Sequence, residues 1–202
     1  MLSRAQQRQK RSFDLVASLL LLPFLIIPML ILWVLSTIST GQNGLYRQVR
    51  IGRYGESFKL LKFRSLKGSD HVDINEIKAN ETVFGAFIRK YKLDELPQVI
   101  NVLSGEMSLV GPRPDVPGYA DLLEGDDRIV LSIRPGITGP ATLTYRNEDE
   151  LLLKQEDPNS YNDSVIWPNK VKINKSYIQN WSLATDIKYL WYSLFGGYNI
   201  DA

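Results

Sequence analysis

The strongest pattern along the chain is an almost unbroken apolar run from Leu15 to Leu35. Its length is about the 20 residues that a helix needs to cross the hydrocarbon core of a bilayer. Pro23 and Pro28 fall inside it. Each removes an amide donor and disfavours straight helix, which predicts a kinked or broken segment. The run exceeds the apolar region of a cleavable signal peptide, and no Ala-x-Ala site follows it. Both flanks are basic: Arg4, Arg8, Lys10 and Arg11 precede the run, and Arg47, Arg50, Arg53, Lys59, Lys62, Arg64 and Lys67 follow it against Glu56 alone. Lysine and arginine near a membrane segment tend to stay cytoplasmic, so one crossing cannot satisfy both flanks, whereas a re-entrant helix-break-helix can. A plain span is the alternative.

Beyond the run, Gly44–Ile51 and Ser57–Arg64 alternate around the turn Gly52–Gly55 and predict a β-hairpin. On its second arm Phe58, Leu60, Lys62 and Arg64 share one face, which is either a cationic working face or a lysine-guarded edge strand. Helical spacing covers residues 82 to 90, and a second short helix fits Glu95 to Leu103 with Gly105 as its stop. Leu109–Pro114 and Ile133–Pro140 are rich in glycine and proline and predict fixed-shape loops without regular structure. Asn147–Glu156, Asn169–Gln179 and Leu183–Phe195 predict helices. The last carries Tyr189, Trp191, Tyr192 and Phe195, with Trp181 just before it, a density that suits either a membrane interface or core packing. The expected fold class is α+β and mostly helical, with residues 1–40 as a membrane segment and 41–202 as a domain with a β-hairpin and amphipathic helices.

Charge and composition narrow the functions. With 24 basic against 22 acidic residues, the net charge of +2 is too balanced for a dedicated nucleic-acid binder. The absence of cysteine excludes a disulfide framework, a thiolate metal site and a cysteine nucleophile. His71, the one histidine, lies in the polar stretch Gly68–Asn75, which reads as a solvated loop and not as the position of a catalytic base.

The candidate chemistry centres on Leu93-Asp-Glu-Leu-Pro-Gln98. Alone, Asp94 is well explained as a helix N-cap followed by an acidic first turn. Its company changes that: Arg89 lies five residues upstream, and Gly111-Pro-Arg-Pro114 presents Arg113 on a loop stiffened by two prolines. A diphosphate is held by guanidinium forks and a divalent cation, and phosphoryl transfer to an aspartate needs an ionised carboxylate aimed at phosphorus. Adjacent side chains on a helix diverge by about 100°, so Asp94 and Glu95 should do different work. No Gly-x-x-x-x-Gly-Lys-Ser/Thr loop is present, which argues against a P-loop nucleotide hydrolase.

Taken together, Lys10-Arg11 with Asp14, Lys62-Phe63-Arg64, Leu93-Asp-Glu-Leu-Pro-Gln98, Asn101-Val-Leu-x-Gly-x-Met-Ser108, Gly111-Pro-Arg-Pro114 and Arg134-Pro-Gly-Ile-Thr-Gly139 resemble the bacterial sugar transferases, the small monotopic phosphoglycosyl transferases. The resemblance runs from about Lys10 to Asn147 and weakens in the final third. It implies a re-entrant membrane helix and an active site on the cytoplasmic face of the bacterial inner membrane. It also implies two-step transfer of a sugar phosphate from a UDP-sugar to polyprenyl (undecaprenyl) phosphate, with release of UMP. Carried over by position, Asp94 is the nucleophile and a magnesium (Mg2+) contact, and Glu95 completes the dyad. Arg89 and Arg113 bind phosphate oxygens, with Lys62 and Arg134 as further candidates. The implied partners are the UDP-sugar, the polyprenyl phosphate and membrane lipids, with a homodimer as a candidate assembly and no nucleic acid.

Two departures stand out. Ile27-Pro28 replaces the family's Ser-Pro at the membrane break, with Pro23 in addition, and Pro140-Ala-Thr-Leu-Thr-Tyr-Arg-Asn147 replaces its usual Leu-Ala-Gln-Val run. The second predicts that residues 140 to 153 bear on sugar choice. The competing readings are a metal-dependent membrane phosphatase or nucleotidyl transferase using the same carboxylates, and a non-enzymatic lipid-binding scaffold.

Overall fold

The computed structural model describes residues 1–68, 76 and 79–198, so the expected loop around His71 lies outside the described residues. Helix α1 spans Arg4–Thr40 and passes through both prolines without interruption. Pro23 and Pro28 deprive the carbonyls of Leu19 and Phe24 of their amide donors, a loss that alone does not end the helix. α1 is long and apolar enough to cross a membrane, and its most apolar stretch is almost wholly exposed, with Leu20, Phe24 and Ile27 among the outward residues. The helix is therefore suited to contact lipid.

The chain divides into two compact units. One comprises Leu15–Val49 and Lys59–Gly105, and takes in most of α1 and most of the hairpin arms β1 (Leu45–Ile51) and β2 (Ser57–Phe63). Helices α2 (Val83–Lys90) and α3 (Gln98–Ser104) complete it. Its core joins Leu32, Phe63 and Ile88, flanked by Met29, Phe84, Leu93 and Leu96. Thr82 caps α2 by accepting from the Gly85 amide at 2.8 Å, and it also accepts from the Ser39 hydroxyl at 2.8 Å. Asn101 faces β2 as a strand would, accepting from Leu61 N at 3.0 Å and donating to Lys59 O at 2.9 Å. The Gly85 site has no room for a side chain, since a Cβ there would lie 2.0 Å from the Ser65 carbonyl oxygen.

The other unit comprises Met1–Asp14, Arg50–Phe58 and Glu106–Ala202. Here the glycine- and proline-rich segments expected to be irregular form two short parallel strands, β3 (Ser108–Val110) and β4 (Gly136–Thr138), with Ser108 opposite Gly136 and Val110 opposite Thr138. Glycine permits the close approach: a Cβ on Gly136 would lie 2.1 Å from Gly111 N, and one on Gly139 would lie 2.2 Å from Gly111 O. Helices α4 (Pro140–Thr144), α5 (Glu148–Leu152), α6 (Pro158–Tyr161), α7 (Trp167–Gln179) and α8 (Leu183–Phe195) follow. α7 and α8 match the sequence expectation closely, and α5 is shorter than expected. A core of Ile51, Ala120, Leu123, Val130, Leu131 and Val171 packs against Trp167.

Two buried carboxylates fasten the start of α1 into this unit. Asp14 accepts from Ser108 Oγ and Leu109 N, both at 3.0 Å. Asp186 pairs with Lys10 and also accepts from Tyr177 at 2.6 Å and Trp181 at 3.1 Å. The aromatic residues of the last helix divide between the two alternatives left open by the sequence. Trp181, just before the helix, is buried and Tyr189 and Tyr192 are half-buried, while Trp191 and Phe195 are exposed on one face together with Leu194.

Candidate active site

Asp94 and Glu95 lie in a single tight turn, the 3-10 segment Leu93–Glu95, and the following helix begins only at Gln98 with Pro97 at its cap. Asp94 is thus not the expected N-cap, and no side-chain cap bond forms at either element. A helix dipole does not help to keep Asp94 ionised, because the dipole acts within the first turn of a helix that starts four residues later. Lys92 enters the turn with left-handed backbone, φ 55° and ψ 23°. Such a conformation is costly for a residue with a Cβ, and its presence beside the dyad marks a constrained turn.

Both carboxylates are buried, with 8% of each residue exposed. Glu95 faces Lys62 from β2, with Oε1 and Nζ 3.8 Å apart. Asp94 Oδ1 is buried with no hydrogen-bond partner. Burial pushes the Asp94 carboxyl above the usual aspartate range, Lys62 pulls it back, Glu95 raises it, and Lys92 and Arg89 lower it. Arg89 extends from the end of α2 and holds Glu81 at 3.3 Å. This unit therefore brings together four of the six sequence candidates, Asp94, Glu95, Lys62 and Arg89. Lys92 is an addition that sequence reasoning missed; its signal is the lysine directly before Leu93 in a region already rich in cations.

Arg113 and Arg134 belong to the other unit. Arg113 is half-buried on the loop after β3, whose backbone is held by Arg50 Nη1 donating to Pro114 O at 3.2 Å and Ile51 N donating to Asp115 O at 2.9 Å. Beside it, burial pushes the Asp115 carboxyl up to about 6, opposed by Lys170, Arg50 and Arg113. Arg134 is half-buried, and burial together with Arg11 and Arg53 lowers its pKa.

Among the described residues no group of three or more histidine, cysteine, aspartate or glutamate side chains is arranged to hold a metal ion. The donors fit a magnesium ion that arrives with its ligand. Such ions are commonly held by one or two carboxylates plus substrate phosphate oxygens, and Asp94 offers a buried oxygen with no other partner.

Known proteins are similar to this chain over most of its length. Exopolysaccharide production protein ExoY of Rhizobium meliloti is 35% identical over 197 residues, covering 88% of this chain and 80% of that protein. The undecaprenyl-phosphate galactose phosphotransferase of Salmonella typhimurium is 34% identical over 206 residues, covering 93% of this chain and 40% of that protein. The UDP-glucose:undecaprenyl-phosphate glucose-1-phosphate transferase of Escherichia coli is 35% identical over 207 residues, covering 98% of this chain and 42% of that protein. The chain thus spans most of its short relative and about two fifths of the two longer ones. The profile of the bacterial sugar transferases matches residues 5–197, and the chain belongs to that family, an enzyme of the phosphoglycosyl transferase class.

Proposed function

We propose that this enzyme transfers a sugar 1-phosphate from a UDP-sugar to a polyprenyl phosphate, releasing UMP, through a covalent intermediate on Asp94. The observation that carries the reading is Asp94 Oδ1, a carboxylate oxygen withdrawn from solvent and bonded to nothing. A buried polar atom without a partner costs stability and persists where function requires it. Family membership removes the non-enzymatic scaffold from consideration.

In the first step an Asp94 carboxylate oxygen attacks the sugar-bearing phosphorus. The bond from that phosphorus to the bridging oxygen breaks, and UMP leaves with the oxygen. In the second step a terminal phosphate oxygen of the polyprenyl phosphate attacks the same phosphorus and displaces the Asp94 carboxylate, giving the polyprenyl diphosphosugar. Desolvation favours attack because a carboxylate stripped of water is a stronger nucleophile, while the nearby cations Lys62, Lys92 and Arg89 offset part of the rise in pKa that burial causes. Glu95 is held by Lys62 and orients the dyad, and Arg89 neutralises phosphate oxygens. Arg113 and Arg134 are the phosphate-binding candidates of the other unit. Asp94 would hold a magnesium ion with Glu95 in support, and the ion when bound supplies charge neutralisation for the diphosphate.

The reading includes a re-entrant course of α1, supported by the charge of its flanks and requiring a bend in the continuous helix. The Arg4–Asp14 end is tied to Asp186 and Ser108, and the Thr40 end to Thr82 through Ser39. No other helix among the described residues is long and apolar enough to cross a membrane. The basic flanks on both sides favour a course in which the two ends of the apolar segment share the cytoplasmic face.

The test is to incubate the purified protein with a panel of UDP-sugars and no acceptor, then measure UMP and intact mass. The expected result is UMP release with a mass increment of one phosphosugar on the wild type and none on Asp94→Asn. Free sugar phosphate in place of the adduct would establish a phosphatase. The kcat acid limb should lie above the ordinary aspartate range and move further up in Lys62→Met, because a cation that lowers the Asp94 pKa is lost.

A further inference from the structure

Arg89 is the penultimate residue of α2, and its Nε lies 3.3 Å from Glu81 Oε1. Glu81 stands at the opposite end of that helix, just before the Thr82 cap. Eight helical residues rise about 12 Å, so the two side chains must reach toward each other to meet. Helical side chains lean toward the N-terminus, and Arg89 accordingly lies back along α2. Glu81 is itself held by its backbone. It forms an antiparallel bridge with Leu66, flanked by Lys67 N donating to Asn80 O at 2.9 Å and Thr82 N donating to Ser65 O at 3.2 Å. The adjoining Thr82 is tied to Ser39 at the end of α1.

The far end of α2 is tied to the dyad turn in the same way. Lys92 N donates to Arg89 O at 3.1 Å, and Glu95 N donates to Lys92 O at 3.3 Å. The charge of Arg89 reaches Asp94, where it is one of the cations that lower the carboxyl pKa. A guanidinium is a flat fork of donors, so its use against phosphate oxygens depends on the angle of its plane as well as on its charge. A long side chain left to itself samples many rotamers, and a carboxylate at Nε restricts that freedom. The two side chains are 28% and 26% exposed, and an ion pair that wet adds little to stability. What it supplies is orientation.

We propose that Glu81 is a positioning residue, which sets the guanidinium plane of Arg89 for the phosphate oxygens of the UDP-sugar. The proposal rests on the reading of Arg89 as a phosphate-binding residue. Glu81 touches no reacting atom and acts through Arg89 alone, so its effect on turnover must vanish when Arg89 is gone.

The test is a double-mutant cycle on the purified full-length protein: wild type, Glu81→Gln, Arg89→Gln and the double variant. kcat and KM are read from UMP release with polyprenyl phosphate and the most active UDP-sugar of the panel above. Arg89→Gln should lower kcat/KM about a hundredfold or more, and Glu81→Gln about tenfold, since a loosened fork costs less than a missing one. The loss in Glu81→Gln should fall mainly on kcat, because an ill-aimed fork still attracts the diphosphate but fits the transition state less well. Its Tm should stay within about 3 °C of the wild type. On the Arg89→Gln background, the same change should alter kcat/KM by less than about twofold. Wild-type turnover in Glu81→Gln with Arg89→Gln impaired would overturn the proposal and leave the role of Arg89 standing. Equal fractional losses on both backgrounds would make Glu81 a residue of the fold alone, which also overturns it. Full turnover in Arg89→Gln would remove the Arg89 reading and the proposal together, with transfer through Asp94 untouched. Should Glu81→Gln fail to fold, Glu81→Asp takes its place, its carboxylate drawn back by one methylene. A smaller loss that disappears on Arg89→Gln is then expected, and wild-type turnover or an equal loss on both backgrounds counts against.

Discussion

Asp94 carries a conflict between stability and chemistry. Its carboxyl has a folded-state pKa above the ordinary value, principally through burial. A raised folded pKa favours the folded state at low pH, and that contribution is lost as pH rises through the folded pKa. At neutral pH the ionised Asp94 therefore weakens the fold. Asp94→Asn should raise Tm at pH 7.5 while lowering turnover by on the order of 10⁴ or more, as loss of a nucleophile does elsewhere. The Tm gain should shrink as pH falls, because protonated aspartic acid and asparagine are then both neutral. A thermal scan against pH checks both signs. Lys92 offers a second residue-scale test. Its φ of 55° costs a residue with a Cβ about 1 kcal/mol or more relative to glycine. Lys92→Gly should therefore hold or increase stability while its kcat acid limb moves up, because a cation that lowers the Asp94 pKa is lost, whereas the β-branched Lys92→Val should lose stability as well. Equal loss in the two variants would show that the charge and not the backbone is what matters there.

At the scale of elements, the sequence conveyed periodic structure well and sequence-remote pairing poorly. α7 and α8 were readable because apolar spacing and the Ser182 cap agree, and the hairpin because Gly52 and Gly55 punctuate two alternating arms. Strands β3 and β4 were not readable. Three residues carry no period, and their composition of glycine and proline normally signals a loop. What makes them strands is tertiary: Ser108 N donates to Pro135 O and Gly111 N to Thr138 O, both at 2.8 Å, across a gap that only glycine leaves open. Gly139→Ala would place a methyl carbon 2.2 Å from Gly111 O, so the two backbones must separate. The expected cost is about 2–4 kcal/mol, measured by urea denaturation, within the range of strained or overpacked sites. The dyad turn was misread for a related reason. Asp-Glu before a short apolar run has the local signature of a cap, while the left-handed Lys92 that shifts it out of the helix leaves no such signature in the sequence.

For the molecule as a whole, the site candidates were legible by type and not by arrangement. Asp94, Glu95, Lys62 and Arg89 share one unit, and Arg113 and Arg134 share the other, a partition that spacing along the chain does not reveal. The link that most strongly closes the second unit is the buried pair Lys10–Asp186, with side chains 6% and 1% exposed. Lys10→Met should cost about 3–5 kcal/mol by leaving a buried carboxylate without its countercharge, and the double variant Lys10→Met/Asp186→Asn should recover much of it. Urea midpoints of the three proteins would show whether it does.

That pair joins residues 176 positions apart. During synthesis Lys10 therefore emerges from the ribosome well before its partner. The unit containing Asp94 can complete its packing once Gly105 has appeared, whereas the start of α1 must wait for Ser108 and then for Asp186 before both of its charges are satisfied. The hydrophobic segment is thus delivered to the bilayer with an unanchored end, and the fastening of that end waits for a helix far downstream.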